Sequence, residues 1–338
     1  MKPVTIRDVA RLAGVSTATV SRALGQPEKL NRETLDHVLG VVKQVGFVAN
    51  AQARSFRQQS TQTIILLVRD ISNPFYLEIY KGIEEVASET GYKVLMADAR
   101  NDEARISNYI DMVRQRQADG LILMVRNLPA DIDQRPGLTP PMVVASEAIP
   151  DVDLPTVRID NAAAAKNAVD YLIAQGHRKI AHIGGVEGEY LAINRHTGYL
   201  RALREADLPV DPRLTVWGDF SIEAGRRGAQ ALLDTGLPFT AVLAASDQMA
   251  IGAISQLRRA GLRVPSDVSV IGFDDILVAQ AFEPALTTVQ QPRLEMGRAA
   301  MRLLVNLLSG TPSAPVHEFE TKLIVRDSVA PVSAPEGP

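Results

Sequence analysis

The chain has 338 residues, 46% hydrophobic and 22% charged, enough apolar material for one large core or two or three modest ones, so disorder is not the default. It lacks cysteine, so disulfides and thiolate metal sites are excluded; MKPVTIRD has no apolar leader core and no apolar run reaches about 20 residues, so a cytoplasmic, non-membrane protein is expected. Residues 1–60 hold nine Lys/Arg against four Asp/Glu, a net +5 that leaves −8 for the remainder, so a polyanion is expected to meet the N-terminal segment alone.

Thr5–Leu24 reads TIRDVARLAGVSTATVSRAL. Ile6, Val9, Ala10 and Ala13 recur at helical spacing, with Thr5 as N-cap and Asp8 in the first turn. Gly14 stops that helix and Ser16 caps a second, whose Val20, Ala23 and Leu24 face inward while Thr17, Ala18, Ser21 and Arg22 face outward. Ala10 is small where two helices cross. A third helix runs from the cap Asn31 to Gly46, with Leu35, Val38, Leu39, Val42 and Val45 as its inner stripe. Short side chains let a backbone approach base edges, and Arg22 can donate twice to guanine O6/N7, as a major-groove reader requires. The plainer alternative is a helical subdomain that docks on its neighbour.

NAQARSFRQQSTQ comes next, polar and without an apolar stripe, too short to hold a helix in isolation. From Thr63 onward ten short apolar runs, TIILLV to TTVQQP, alternate with amphipathic stretches of helix length, which predicts parallel sheets covered by helices and, at this length, two α/β lobes. Ligands of such folds sit beyond the C-terminal strand ends. Those ends collect Asp160, Asp219, Asp247 and Asp274 with Phe75, Tyr76 and Phe220, acceptors for hydroxyls and rings for stacking, which suit a sugar or a nucleoside. An aspartate at a strand end also serves as a cap for the next helix.

Catalytic, metal and cofactor motifs are absent from the sequence. The five histidines, His37, His177, His182, His196 and His317, form no HExxH; GGVEGE lacks both GxGxxG and GK[ST] spacing; and no GxSxG elbow occurs. A non-enzyme is expected, without cofactor or bound metal. A solute-binding protein without DNA activity is the alternative to a regulator.

VTIRDVARLAGVSTATVSRAL with NRETLDHVLGVVKQVGFVANAQARSF resembles the DNA-binding domain and hinge of the LacI/GalR family of bacterial transcription regulators. GHRKIAHIGG, ASDQMAIGAISQLRRAGLRVPSDVSVIGFDD and PALTTVQQPRLEMGRAAMRLL resemble its regulatory domain, similar in turn to periplasmic sugar-binding proteins, and the whole looks most like the cytidine-responsive branch. The resemblance implies a small all-α helix-turn-helix head plus an α/β two-lobed periplasmic-binding-protein-like regulatory domain. It sets boundaries at 1–48 for the head, 49–62 for the hinge, 63–332 for effector binding and dimerisation, and 333–338 for a tail.

By the same resemblance Thr17, Ala18 and Arg22 read bases, and Thr5, Ser16, Thr19, Ser21 and Asn31 hold phosphates. Asn50, Ala53 and Arg54 contact DNA from the hinge, where Phe56 replaces the family's minor-groove leucine and Ala49 its frequent proline. Phe75, Tyr76, Ser146, Asp160, Arg195, Phe220, Ser246 and Asp274 take the effector positions, while Glu189 and Leu191 stand where purine-binding relatives use specific polar groups. The implied partners are double-stranded operator DNA, a small sugar, nucleoside or related metabolite, and a second copy, with no membrane. The helix after Asn73, with Glu78, Ile79, Gly82 and Ile83, is expected in the dimer face; the proline-rich end SVAPVSAPEGP forms no heptad helix, so a dimer is expected. The implied function is a repressor under effector control.

Overall fold

The computed structural model describes residues 4–47, 60–129, 132, 140–146, 149, 152–312 and 314–332, so the hinge positions Ala49, Asn50, Ala53, Arg54 and Phe56 lie outside the described residues. The chain divides into two units, Met1–Thr61 and Gln62–Pro338.

The first unit is three helices, α1 (Ile6–Leu12), α2 (Thr17–Gly25) and α3 (Arg32–Val45). Thr5 and Asp8 close a reciprocal capping box on α1, Ser16 accepts from Thr19 N at 3.1 Å to cap α2, and Asn31 Oδ1 accepts from Thr34 N at 2.8 Å to cap α3. Gly14 takes a left-handed φ of 64° at the α1–α2 turn, which a side chain would disfavour. Val9, Ala10, Ala13, Val20, Ala23 and Val38 make the small core. Leu39, expected in the inner stripe, is instead 40% exposed and lies outside the head's core.

The second unit holds two six-stranded sheets. The first lobe's sheet has the order β11-β5-β4-β3-β1-β2. Its strands are β1 (Thr63–Val68), β2 (Lys93–Asp98), β3 (Gly120–Met124), β4 (Met142–Ala145), β5 (Thr156–Ile159) and β11 (Val316–Phe319). All its pairings are parallel. The second lobe's sheet has the order β12-β10-β9-β8-β6-β7. It is built from β6 (Ile180–Gly184), β7 (Thr215–Trp217), β8 (Ala241–Ala244), β9 (Ser269–Asp274), β10 (Thr287–Gln290) and β12 (Lys322–Ile324). There only β12 runs antiparallel, against β10.

Alternation along β1 divides the first core. Ile64, Leu66 and Val68 face α4 (Phe75–Thr90) and α11 (Arg293–Ser309), while Ile65 and Leu67 face Ile106 and Ile110 of α5 (Glu103–Arg114). In the second lobe α6 (Asn161–Ala174) pairs with α7 (Tyr190–Glu205), and α8 (Ile222–Asp234) with α9 (Asp247–Arg259). A single turn-and-a-half helix, α10 (Leu277–Ala281), comes after β9. The chain crosses between the lobes three times, after β5, after β10 and after β11.

One expectation about α4 is corrected. Ile79, Gly82 and Ile83 are buried against α11 of the same chain, where a side chain on Gly82 would overlap the Leu294 carbonyl and one on Gly297 the Ile79 carbonyl. That face is core, so it is not available to a second copy; an i, i+3, i+4 stripe has the same spacing whether it meets its own chain or another. On the outer side of α4, Leu77 is 53% exposed.

Candidate functional site

In the head, the first turn of α2 presents Thr17 and Ala18 exposed, with Arg22 exposed one turn further. Ser16 Oγ lies 2.9 Å from Thr19 Oγ1, so these two hydroxyls and the helix N-terminus form one hydrogen-bonding edge suited to an anion. Thr5 donates to Asp8 Oδ2 at 2.6 Å and Ser21 is half-buried, so both also serve the fold. His37 Nε2 lies 3.1 Å from Ala13 O, anchoring α3 to the end of α1.

In the second unit, a cavity of about 160 Å³ lies between the two lobes, which limits its occupant to one small molecule. Residues at or just past the strand ends make its wall: Arg69 and Asp70 after β1, Ser146 after β4, Asp219 and Phe220 after β7, and Asp274 ending β9. Phe75 and Tyr76 enter from the first turn of α4, their rings edge to face at 5.5 Å, and Arg195 enters from α7. A larger surface groove elsewhere, near Arg298 and Glu85, is open to solvent, and those two charges pair at 2.6 Å.

Four wall residues hold left-handed backbone that most non-glycine residues avoid: Asn101 (φ 53°), Ser146 (φ 66°), Phe220 (φ 68°) and Asp274 (φ 116°). Each costs of order 1–3 kcal/mol, a strain that characteristically gathers at ligand sites. Their hosts show how it is sustained. Phe220 lays its ring where a side chain on Gly185 would overlap it, and its carbonyl accepts from Ser246 Oγ at 3.4 Å. Asp274 accepts from Gln291 Nε2 at 2.8 Å, and its neighbour Asp275 is held by Arg326 at 2.7 Å and Gln290 at 2.8 Å.

Burial pushes the Asp274 carboxyl up to about 6, against the opposing pull of Arg195 and Arg293. Burial likewise lowers Arg195 to about 10, still a cation at neutral pH, and lifts the Tyr76 phenol to about 12. Arg195 stacks 3.6 Å over Phe273, donates to Asn161 Oδ1 at 2.9 Å and to Ala245 O, and faces Asp274 Oδ1 at 3.8 Å.

Six of the eight residues expected on this wall are there: Phe75, Tyr76, Ser146, Arg195, Phe220 and Asp274. Asp160 and Ser246 do not line it. Each is a helix N-cap, Asp160 accepting from Ala163 N at 2.9 Å and Ser246 from Met249 N at 3.2 Å, so their side chains are aimed at first-turn amides. Asp247, another strand-end acid, is fully buried and accepts from Ile276 N and Thr288 Oγ1 at 2.8 and 2.5 Å, tying α9 to β10. Sequence pattern does not single out Arg69, Asn73, Asn101 or Gln248 on the wall, nor Gln291 and Arg293 behind it. Arg293 donates to Phe75 O at 3.4 Å in one lobe and to Asp275 O at 2.6 Å in the other. The tract QQPR just before a helix is its only signal.

His177 and His182 are structural: His177 lies 2.9 Å from Thr240 Oγ1 and 3.1 Å from Ala330 O, and His182 Nδ1 2.9 Å from Leu243 O. Among the described residues no helix is long and apolar enough to cross a membrane.

Family models match both units of the chain. The family model described as bacterial regulatory proteins, lacI family, matches residues 5–50, and the periplasmic binding protein-like domain matches residues 169–329. The chain is 45% identical over 327 residues to the HTH-type transcriptional repressor CytR of Escherichia coli (strain K12), covering 96% of each. It is 36% identical over 333 residues to the HTH-type transcriptional repressor PurR of Pectobacterium carotovorum subsp. carotovorum (strain PC1), covering 96% of this chain and 97% of that one. Among solved structures it is similar to the lac repressor dimer bound to operator and the anti-inducer ONPF, with a TM-score of 0.85 at 25% identity over 97% of this chain and 100% of that one. The transcriptional regulator CelR–cellobiose complex gives a TM-score of 0.74 at 33% identity over 96% and 99% of the two chains.

Proposed function

Since the chain belongs to the LacI family of bacterial regulatory proteins, we propose that it is a cytoplasmic transcription repressor, not an enzyme, that binds a near-palindromic operator as a dimer and answers to a small metabolite. The observation that carries this reading is the coexistence in one chain of a capped helix exposing Thr17, Ala18 and Arg22 with a strained, polar-and-aromatic cavity between two lobes. A solute-binding protein has no use for the first.

In this reading Thr17, Ala18 and Arg22 address base edges in the major groove, and Thr5, Ser16, Thr19, Ser21 and Asn31 address phosphates. Asn50, Ala53, Arg54 and Phe56 act in the minor groove, Phe56 as an aromatic wedge between base steps. The effector, a sugar, a nucleoside or a related metabolite, stacks on Phe75, Tyr76 and Phe220 and gives its hydroxyls to Asp274, with Arg195 donating. The lac repressor structure, a dimer on operator DNA, and the CelR complex, with cellobiose, support the partners by analogy. A ligand held by both lobes shifts their relative arrangement only through a difference in affinity for the two states, and the same difference appears as changed DNA affinity.

The test is a mobility-shift assay of the purified protein on DNA from upstream of its own gene and its neighbours, with and without sugars and nucleosides. A sequence-specific complex whose affinity moves with one ligand is expected; absence of any specific complex overturns the reading.

A further inference from the structure

Glu189 occupies the N-cap position of α7 but makes no side-chain cap. Its carboxylate instead reaches across the cleft: Oε2 lies 2.6 Å from Arg69 Nη1 and Oε1 3.3 Å from Arg126 Nη1. Both arginines come after first-lobe strands, β1 and β3, whereas Glu189 belongs to the second lobe. The Glu189 side chain is 2% exposed and that of Arg69 9%, so this is a buried pair, and a buried guanidinium must be matched.

Arg69 is also on the cavity wall, its guanidinium 5.7 Å from the Phe220 ring centre. It stands where a ligand's acidic group would look for a partner, but Glu189 already holds it. The other wall arginine, Arg195, is matched by Asp274, and the wall acid Asp219 by Arg227 at 3.3 Å. An anionic ligand would have to displace a buried carboxylate and face Asp70 and Asp274 as well. A hydroxylated ligand without charge meets neither penalty.

Resting on the effector-binding reading above, we propose that Glu189 is a specificity-determining residue: by occupying Arg69 and Arg126 across the cleft, it makes the cavity accept uncharged ligands and reject phosphorylated or carboxylated ones. Without Glu189, two neighbouring guanidinium groups would form an anion receptor.

The experiment uses the full-length protein and inorganic phosphate as the probe, read by thermal shift and titration calorimetry. Wild type and Glu189→Asp, which keeps the charge, should show no saturable phosphate stabilisation. Glu189→Gln should bind phosphate at least about tenfold more tightly than wild type, the order expected for one charge-assisted contact, and Glu189→Gln/Arg69→Gln should lose the gain. No gain in Glu189→Gln, or equal phosphate binding by wild type, overturns the assignment. If Glu189→Gln does not fold, wild type decides through matched pairs: ribose against ribose 5-phosphate and adenosine against its 5′-monophosphate. Any pair in which the phosphorylated member binds more tightly overturns the assignment; weaker binding of the phosphorylated members supports it. Operator binding measured on the same samples separates the two failures, since a protein that binds operator DNA yet prefers phosphorylated ligands refutes only the role of Glu189.

Discussion

Arg195 and Asp274 face each other at 3.8 Å, both buried, one from α7 and the other from the end of β9. Each is the other's counter-charge, and Asp274 alone of the two can accept from a hydroxyl. Asp274→Asn should therefore weaken effector binding by roughly 10- to 100-fold, the range for a charge-assisted hydrogen bond, with ligand-free operator affinity unchanged. Because burial lifts Asp274 to about 6, wild-type effector affinity should also fall as pH drops through that value. Calorimetry at pH 7.5 and 5 checks both; equal affinity at the two pH values would remove the carboxylate from recognition.

Arg22 is exposed on the outer face of α2. Arg22→Ala should cost about 1–3 kcal/mol at the operator, roughly 10- to 100-fold, and far less on random DNA, since only a base-directed arginine discriminates. Competition binding at one fixed salt concentration measures the ratio; equal losses on both DNAs would make Arg22 a phosphate contact.

His182 stacks at 5.4 Å on His196 and at 5.0 Å on Tyr199. Burial, with His196 adding, drives it from 6.5 down to about 3. Between those values the unfolded chain takes up a proton that the native chain refuses, so the stability linked to neutral His182 is complete above 6.5 and is lost as pH falls towards 3, by roughly 1 kcal/mol per pH unit. His177 and His196 are lowered too, also mainly by burial, and add to the loss, whereas the buried acids Asp274, raised from 3.8 to about 6, and Asp247, also raised by burial, offset part of it. Denaturant unfolding at pH 7 and 5.5, tracked by Trp217, the chain's single tryptophan, should show lower stability at the lower pH, and His182→Phe should reduce the difference. An unchanged difference would place the acid sensitivity elsewhere.

Gly82→Ala should destabilise the second unit by about 1–3 kcal/mol, because its methyl group would overlap the Leu294 carbonyl and force α4 and α11 apart. Thermal unfolding measures it; a melting temperature equal to wild type would mean that the helix pair yields freely.

How far the sequence reveals the fold depends on how local each signal is. The runs that form β1, β3, β4 and β8 are continuous and apolar, so they stand out even without a partner. Two of the four edge strands, β11, VHEF, and β12, KLI, are short and half-exposed, and nothing in them competes with a loop assignment. The caps Thr5, Ser16 and Asn31 are legible because donor and acceptor lie three residues apart.

The site divides in the same way. Phe75 and Asp274 sit directly at element ends and Phe220 in the short loop after β7, and all are legible from position alone. Asp160 and Ser246 share that position, yet cap their own helices, a choice decided by side-chain direction and not by spacing. Glu189 gives no local hint of its partners, which lie 120 and 63 residues away in sequence. Ile79 and Ile83 show the converse, since their periodicity is clear but not what covers it.

The packing of α4 on α11 also sets an order of events on the ribosome. Phe75 and Arg293, which meet in the finished protein, are separated by 218 residues. At about 5–20 residues per second, synthesis leaves α4 waiting roughly 10–40 seconds for the helix that covers it. The head is complete long before, because its core residues all lie between Ile6 and Phe47. Nascent chains thus carry a folded head ahead of a lobe whose inner apolar face is still uncovered, and this interval, more than any weakness in the final structure, is when the protein is most in need of a chaperone.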